Sequence, residues 1–275
     1  MKMEDLPEEC MALILSGTSP CDACRISAVS KMIRDAAESQ ILWDKFLPSD
    51  YIDILSRLVS PLSFTSKKDL FFKLSNRPLL IDGGTKTFYI EKYSNKRSYM
   101  LSAKKLSITW GTNRFYWCWK PSLDSRFSQV VELVMITWLD IQGKISTKIL
   151  SPNAKYGAYL IIKFAKRAYG LEKMPSEVSV ELGNYKSKGQ TYLRKCSAER
   201  KEANDEESLF VLPKKDSTME EEVLVEREDG WLEIELGEFY NDGSEEEVKM
   251  SLREVKGDHL KAGLIVEGIE VRPKL

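Results

Sequence analysis

Apolar residues recur at helical spacing through the first sixty positions of the chain. A stripe at i, i+4, i+7 and i+8 predicts an amphipathic helix that ends at Gly17. The stripe consists of Leu6, Cys10, Leu13 and Ile14. A second helix is expected to begin after Ser19-Pro20 and to continue to about residue 39. Its apolar face consists of Ile26, Val29, Ile33 and Ala37. A short third helix is expected over 41–47.

Residues 49–78 keep the helical spacing, with helices predicted over 51–59 and 67–75 on either side of Pro61. From residue 79 the spacing changes to two, which is typical of half-buried strands. Alternating or apolar segments cover 131–138, 156–164, 178–182, 232–236, 248–252 and 264–271. Turn-forming residues separate them, and their number is sufficient for two sheets packed face to face. We therefore predict an α+β chain of two modules, a small helical module followed by an antiparallel β-sandwich.

The composition supports two packed modules and offers little catalytic chemistry. Of 275 residues, 43% are hydrophobic, and a single histidine, His259, removes most histidine-based metal and catalytic arrangements. The five cysteines are odd in number and irregularly spaced, as expected for reduced thiols, and the Cys21-x-x-Cys24 pair lacks two further zinc ligands. No glycine-rich phosphate-binding motif is present. We expect no metal and no cofactor, and an enzyme is the least favoured class.

Charge is nearly balanced, with 41 basic and 42 acidic residues, but it is unevenly distributed. Residues 61–125 contain 12 basic and 4 acidic residues, spread over strand-like and turn-like sequence, which favours solvated strand faces and no nucleic-acid partner. Residues 199–222 contain nine acidic and four basic residues and are expected to form a surface loop, with 209–212 as one possible edge strand. The longest uncharged stretch, 10–21, has twelve residues against the ~20 of a membrane helix. The start of the chain is acidic, unlike a signal peptide. We expect no membrane partner and a location in the cytoplasm, the nucleus or both.

The first 48 residues resemble a known module. The segments Leu6-Pro7-Glu8-Glu9-Cys10, Ser19-Pro20, Leu42-Trp43 and Phe46-Leu47-Pro48 are similar to the F-box as it occurs in plants. In that family the module docks on a Skp-type adaptor and, through it, on a cullin-based ubiquitin ligase. The resemblance implies that an adaptor-binding face is formed or supported by Leu6, Pro7, Cys10, Ile14, Leu15, Trp43 and Phe46. The alternative is a purely structural core, which we expect for Leu13, Val29 and Ile33.

Residues 99–273 resemble the phloem protein 2 domain. The similarity lies in Tyr99-Met100-Leu101-Ser102-Ala103, Tyr116-Trp117-Cys118-Trp119, Asp229-Gly230-Trp231 and Gly263-Leu264-Ile265-Val266. This family is similar to the tobacco leaf lectin, which implies a jelly-roll-like sandwich that binds N-acetylglucosamine-containing glycans. The domains are accordingly predicted as 1–48 for the F-box, 49–78 for a helical connector and 79–275 for the phloem protein 2-like sandwich.

A metal-free sugar site needs an aromatic surface for the apolar face of a sugar ring, together with a few polar groups for its hydroxyls. Trp110, Trp117 and Trp119 lie within ten residues and could form that surface. The first two occupy the positions of the family's binding tryptophans, according to the resemblance. Trp117 and Trp119 share one strand face, so burial of either in the sandwich core is the alternative. The sequence does not assign the polar partners.

These expectations combine into a substrate-recruiting subunit of a cullin-type ubiquitin ligase. The helical module would bind the Skp-type adaptor, and the sandwich would bind a glycosylated target. One alternative is a cytosolic or nuclear carbohydrate-binding stress or defence lectin with an idle F-box. Another is an F-box receptor that recruits its target by protein contacts without sugar. The loop before Asp229 has only Lys214-Lys215 among many acids, whereas the tobacco lectin has a basic import segment there, so nuclear entry stays open.

Overall fold

The computed structural model describes residues 6–193 and 224–274. Within these ranges the helices come first and the strands follow. The helices are α1 (Glu8–Ser16), α2 (Pro20–Ile26), α3 (Lys31–Glu38), α4 (Gln40–Phe46), α5 (Tyr51–Ser56) and α6 (Lys67–Asn76). None of the helices in these ranges is long and apolar enough to span a bilayer. The acidic stretch 199–222, with the possible edge strand 209–212, lies outside the described residues.

The strands form two sheets, and the chain crosses between the sheets several times. They are β1 (Leu79–Ile81), β2 (Lys86–Ile90), β3 (Arg97–Ser102), β4 (Ser107–Ile108), β5 (Trp117–Lys120), β6 (Val130–Leu133), β7 (Leu139–Ser146), β8 (Ala154–Tyr169), β9 (Ser176–Leu182), β10 (Tyr185–Thr191), β11 (Val225–Glu226), β12 (Leu232–Asn241), β13 (Glu247–Glu254) and β14 (Ala262–Pro273). The larger sheet has the order β1-β2-β3-β14-β8-β12-β11, with β6 paired to β14 and β5 to β6. The smaller has the order β10-β9-β13-β7-β4. The predicted antiparallel β-rich second module is confirmed.

Serine caps divide the helical module into short helices. The hydroxyls of Ser19, Ser30, Ser39 and Ser66 accept hydrogen bonds from backbone N–H groups at the starts of α2, α3, α4 and α6. The single helix expected from residue 20 to residue 39 was therefore wrong. The Ser30 hydroxyl binds the N–H of Ile33 and begins a new helix, because a capping serine competes with helix continuation. Val29, at the break, is 73% exposed, so its predicted core role was also wrong.

The strand predicted over 131–138 is also divided. β6 ends at Leu133, and Leu139 begins β7 in the other sheet. Between them, Ile136 forms an isolated bridge with Lys261. The chain crosses between sheets here, which leaves Trp138 partly exposed immediately before β7.

The connector helices are attached to the sandwich by side-chain packing and backbone pairing. α6 packs against β2, and its side chains Leu70, Phe71 and Leu74 are fully buried. Leu58 pairs with Ile81 in an isolated antiparallel bridge. Most buried apolar side chains of the helices and sheets consequently form one continuous cluster, and a smaller second cluster lies within the sandwich.

Candidate functional site

The helix α1 has one buried and one exposed side. Met11, Ala12 and Leu15 face the helical core. Away from this core, four exposed uncharged residues form what we call the α1 face: Pro7, Cys10, Leu13 and Ile14. Ile14 is 52% exposed, although a side chain of this kind gains about 1.5–3 kcal/mol from burial. The core role expected for Leu13 was wrong because this residue lies on the exposed side of the helix.

The remaining residues of the predicted adaptor-binding set lie behind this face. Leu15, Trp43 and Phe46 are buried, Leu6 is half-buried against the same core, and Ile33 is buried as expected. The Trp43 indole donates to the carbonyl of Ala37 at 2.8 Å. Its ring lies 5.4 Å from Phe71 and 5.5 Å from Phe46, measured between centroids. Leu15, Trp43 and Phe46 therefore support the α1 face from the core and are not accessible to a partner in this conformation.

The tryptophan loop follows β4 and turns sharply at Trp110. Trp110 has φ of +55°, a left-handed conformation that an aromatic residue rarely adopts. The turn is fixed by backbone hydrogen bonds from Gly111 to Ile108 and from Asn113 to Trp110. Trp110 is 50% exposed, and its ring packs on Tyr116 with the centroids 5.2 Å apart. We call Trp110 and Tyr116 the Trp110 platform.

Trp117 and Trp119 stabilise this loop from behind. The Trp117 indole donates to the carbonyl of Thr109 at 3.0 Å, and the Trp119 indole donates to that of Gly111 at 2.8 Å. Trp117 is only 1% exposed, so its ring cannot cover a sugar in this conformation. The structure thus corrects its predicted direct contact to a positioning role. Trp119 is half-buried, and its hydrogen bond fixes it to the loop.

Further exposed aromatic residues lie close to the platform. Phe115 is 82% exposed beside Tyr116, and its N–H is held by the side chain of Asn113 at 3.0 Å. Trp138 is also exposed, two residues before Asp140, whose carbonyl accepts from Thr109. The position of Phe115 in a polar loop was a signal in the sequence that its side chain is exposed. Trp138 gave no such signal, because it belonged to the apolar segment 131–138 that predicted one strand.

Polar groups beside the platform come from the same loop. Thr112 and Arg114 are exposed, and Arg114 has no ion-pair partner within 6–193 or 224–274. Over the same residues, no group of three or more His, Cys, Asp or Glu side chains is arranged to hold a metal ion. The platform therefore combines an apolar ring surface with neutral and cationic hydrogen-bond donors.

The chain thus combines a helical module that has an exposed apolar face with a sandwich that has an exposed aromatic platform. Two family models match the chain: the F-box domain over residues 3–45 and phloem protein 2 over residues 96–273. Three relatives from Arabidopsis thaliana match nearly the whole chain. F-box protein PP2-B15 is 47% identical over 98% of this chain and 96% of its own length. F-box protein VBF is 45% identical over 98% and 99%, and F-box protein PP2-B13 is 46% identical over 98% of each.

The chain belongs to the plant F-box proteins that carry a phloem protein 2 domain. This confirms both resemblances seen in the sequence. The family supports a role as a substrate-recognition adaptor, with the F-box as its connection to a Skp-type adaptor.

Proposed function

We propose that this protein is the substrate-recruiting subunit of a cullin-type ubiquitin ligase and recognises N-acetylglucosamine-containing glycans on its targets. The observation that carries the ligase role is the α1 face, where Cys10, Leu13 and Ile14 remain exposed on a helix whose other side is fully used by the core. The F-box match over the same residues supports a Skp-type adaptor as the occupant. A cullin would be reached only through that adaptor.

The aromatic platform supports the glycan part of the proposal. Trp110 presents half of its surface to solvent, and Tyr116 and the Trp119 hydrogen bond hold the loop that carries it. A rigid aromatic surface binds the apolar face of a sugar ring without losing much conformational freedom. Thr112 and Arg114 can donate hydrogen bonds to hydroxyl or acetamido oxygens of such a ligand.

Co-purification with a Skp-type adaptor tests the ligase role. Ile14→Asp places a charge at the centre of the α1 face without removing a buried group, so adaptor binding is expected to weaken by about 2–4 kcal/mol. Leu6→Ala with Pro7→Ala is expected to abolish co-purification as well. Ile52→Asp is the matched control, because Ile52 is exposed on α5, outside the α1 face.

The result is interpreted together with the melting temperature of each variant. Loss of binding by Ile14→Asp at an unchanged melting temperature supports the proposal, provided that Ile52→Asp still binds. Full adaptor binding by Ile14→Asp would contradict the assignment of the α1 face.

A further inference from the structure

A polar groove crosses the outer face of the smaller sheet, and its end at Gln142 lies beside Ser107 of β4, the strand that leads into the turn at Trp110. Strand register places outward-facing side chains in rows that run across β10, β9, β13 and β7. The middle row consists of Lys188, Ser179, Ser251 and Gln142. The alternate residues Val178, Val180 and Leu252 are buried between the sheets, which confirms that the row faces outward.

The groove forms because the two serines of the middle row are shorter than the side chains of the rows on either side. Ser179 and Ser251 are short and share a hydrogen bond of 2.9 Å between their hydroxyls, so they form the floor. Longer side chains rise on either side: Glu177 and Arg253 along one wall, Glu181 and Lys249 along the other. The groove is open to solvent and has a volume of about 530 Å³. Its length across three strand spacings is about 14 Å, which an extended peptide of four to five residues would fill.

Positive charge is in excess along this groove. Glu177 pairs with Lys256 at 2.5 Å, Glu181 pairs with Lys186, and Arg253 lies 3.3 Å from Asp140. Lys188 and Lys249 have no ion-pair partner among the described residues. The hydrogen bond from Lys186 lowers the pKa of Glu181, and the charges of Lys249 and Lys188 act in the same direction. Two cations are therefore available to an anionic group of a ligand.

The residues that line the groove favour one class of ligand over the others. No aromatic residue occurs among the described residues that line the groove, so a sugar ring would lack a stacking surface. The carboxylates of Glu177 and Glu181 would repel a continuous polyanion such as a nucleic acid. A peptide carries isolated carboxylates, and its backbone amides can bind the serine hydroxyls and the glutamine side chains of Gln142 and Gln190.

We propose that this groove binds a short extended acidic peptide of a partner protein, with a carboxylate beside Lys188 and Lys249. It would give the protein a contact with targets that uses no residue of the Trp110 platform or of the α1 face. Binding should weaken with rising salt, since exposed charges are screened over about 8–10 Å at physiological ionic strength.

The probe is a fluorescein-labelled peptide Gly-Ser-Glu-Ser-Glu-Ser-Gly, compared with its glutamine counterpart by fluorescence anisotropy. Lys188→Ala with Lys249→Ala in the full chain is expected to raise the Kd for the glutamate peptide at least tenfold. Lys104→Ala with Lys105→Ala removes the same charge from exposed positions outside the groove and is expected to change the Kd less than twofold. Glu181→Gln removes a competing carboxylate and should tighten binding several-fold, a gain that structural damage would not produce.

Equal binding of the two peptides, or equal losses in the two lysine variants, would overturn the proposal. Stronger competition by a sulfated polysaccharide than by unlabelled peptide would assign the groove to a polyanion and would also overturn it. Chito-oligomer and adaptor binding are measured on the same variants and should be unchanged, which separates failure of this proposal from failure of the proposed function.

Discussion

Trp110 and Trp117 lie close in the sequence but have different environments in the structure. Trp110 is exposed because a left-handed turn directs the chain away from β4, whereas Trp117 pairs with Leu133 in the sheet and is buried. The sequence placed these tryptophans in one region and predicted that Trp117 and Trp119 share a face. It could not show which side of the sheet that face would occupy, because the orientation depends on pairing with β6 and on the turn at Trp110.

The different exposure of the two tryptophans leads to a first prediction. Trp110→Ala is expected to weaken chito-oligomer binding by about 1–3 kcal/mol and to leave stability nearly unchanged, because an exposed ring is removed. Trp117→Ala is expected to cost about 3–5 kcal/mol of folding stability by opening a cavity. Calorimetry and thermal unfolding of the same variants measure both quantities. Tyr93→Ala, in the exposed β2–β3 hairpin, serves as the control; a large stability loss in Trp110→Ala would contradict the platform.

The described residues include a buried ion pair. Lys261 and Glu254 are 1% and 3% exposed and form a salt bridge, and Lys261 also donates to the carbonyl of Thr137 at 2.6 Å. Lys261→Met should destabilise the fold by about 3–5 kcal/mol because the Glu254 carboxylate would stay buried without its partner. Adding Glu254→Leu should restore part of this loss. A double variant less stable than Lys261→Met, in denaturant unfolding, would contradict this explanation.

The accuracy of the sequence predictions differs between individual helices and strands. The end of α1 at Gly17, the start of α2 after Ser19 and the strands with clear alternation agree with the predicted positions to within a few residues. The failures occurred where a single hydroxyl interrupted a continuous apolar stripe, at Ser30, and where an apolar run continued through a crossover between sheets, after Leu133. Both depend on local hydrogen bonding, which apolar periodicity does not report.

Asp82 links the connector to the first strands and gives the protein a defined response to acid. The Arg57 guanidinium donates two hydrogen bonds to it, at 2.8 and 3.1 Å, and Lys86 lies 3.0 Å away. Chiefly through the hydrogen bonds from Arg57, the pKa of Asp82 is lowered to about 2. Because the pKa is lower in the folded state, this stabilisation is complete above pH ~4 and is lost as the pH falls from about 4 to about 2.

Asp82→Asn tests this link. The amide fits the same positive φ but carries no charge, so the variant should lose about 1–3 kcal/mol of stability at pH 7. The difference from the unmodified protein should shrink below pH 4. Urea unfolding between pH 7 and pH 3 measures it; a difference that is constant over this range would show that the Asp82 charge does not contribute.

The sequence predicted a helical module and a sandwich. The contacts that join the connector to the sandwich became visible only in the structure. α6 packs on β2, and Arg97 pairs with Asp50 at 2.8 Å, so the connector and the sandwich share a core and a charge contact. Contacts between residues so far apart in sequence depend on the tertiary arrangement, which residue spacing does not encode. The boundary at residue 79 stays a prediction.

The melting temperatures of truncated fragments measure how much the connector helices stabilise the sandwich. A fragment of residues 49–275 is expected to unfold in one cooperative thermal transition. A fragment of residues 79–275 would uncover the surface of β2 beneath α6 and lose the Arg57–Asp82 pair. We expect its Tm to be lower by more than about 5 °C, since 1 kcal/mol corresponds to about 2–4 °C for a domain of this size. Equal melting temperatures would show that the connector contributes nothing to the stability of the sandwich.

We expect one chain to bridge a Skp-type adaptor and a glycan through two separate surfaces. The most direct test immobilises a chito-oligomer, loads the full chain, and then measures binding of the adaptor by surface plasmon resonance. We predict that the adaptor binds only to the loaded surface. Ile14→Asp should load normally but bind the adaptor much more weakly, and Trp110→Ala should load much less but bind the adaptor in solution as the unmodified chain does. Failure of the unmodified chain to load, or adaptor binding that is unchanged by Ile14→Asp, would contradict the account.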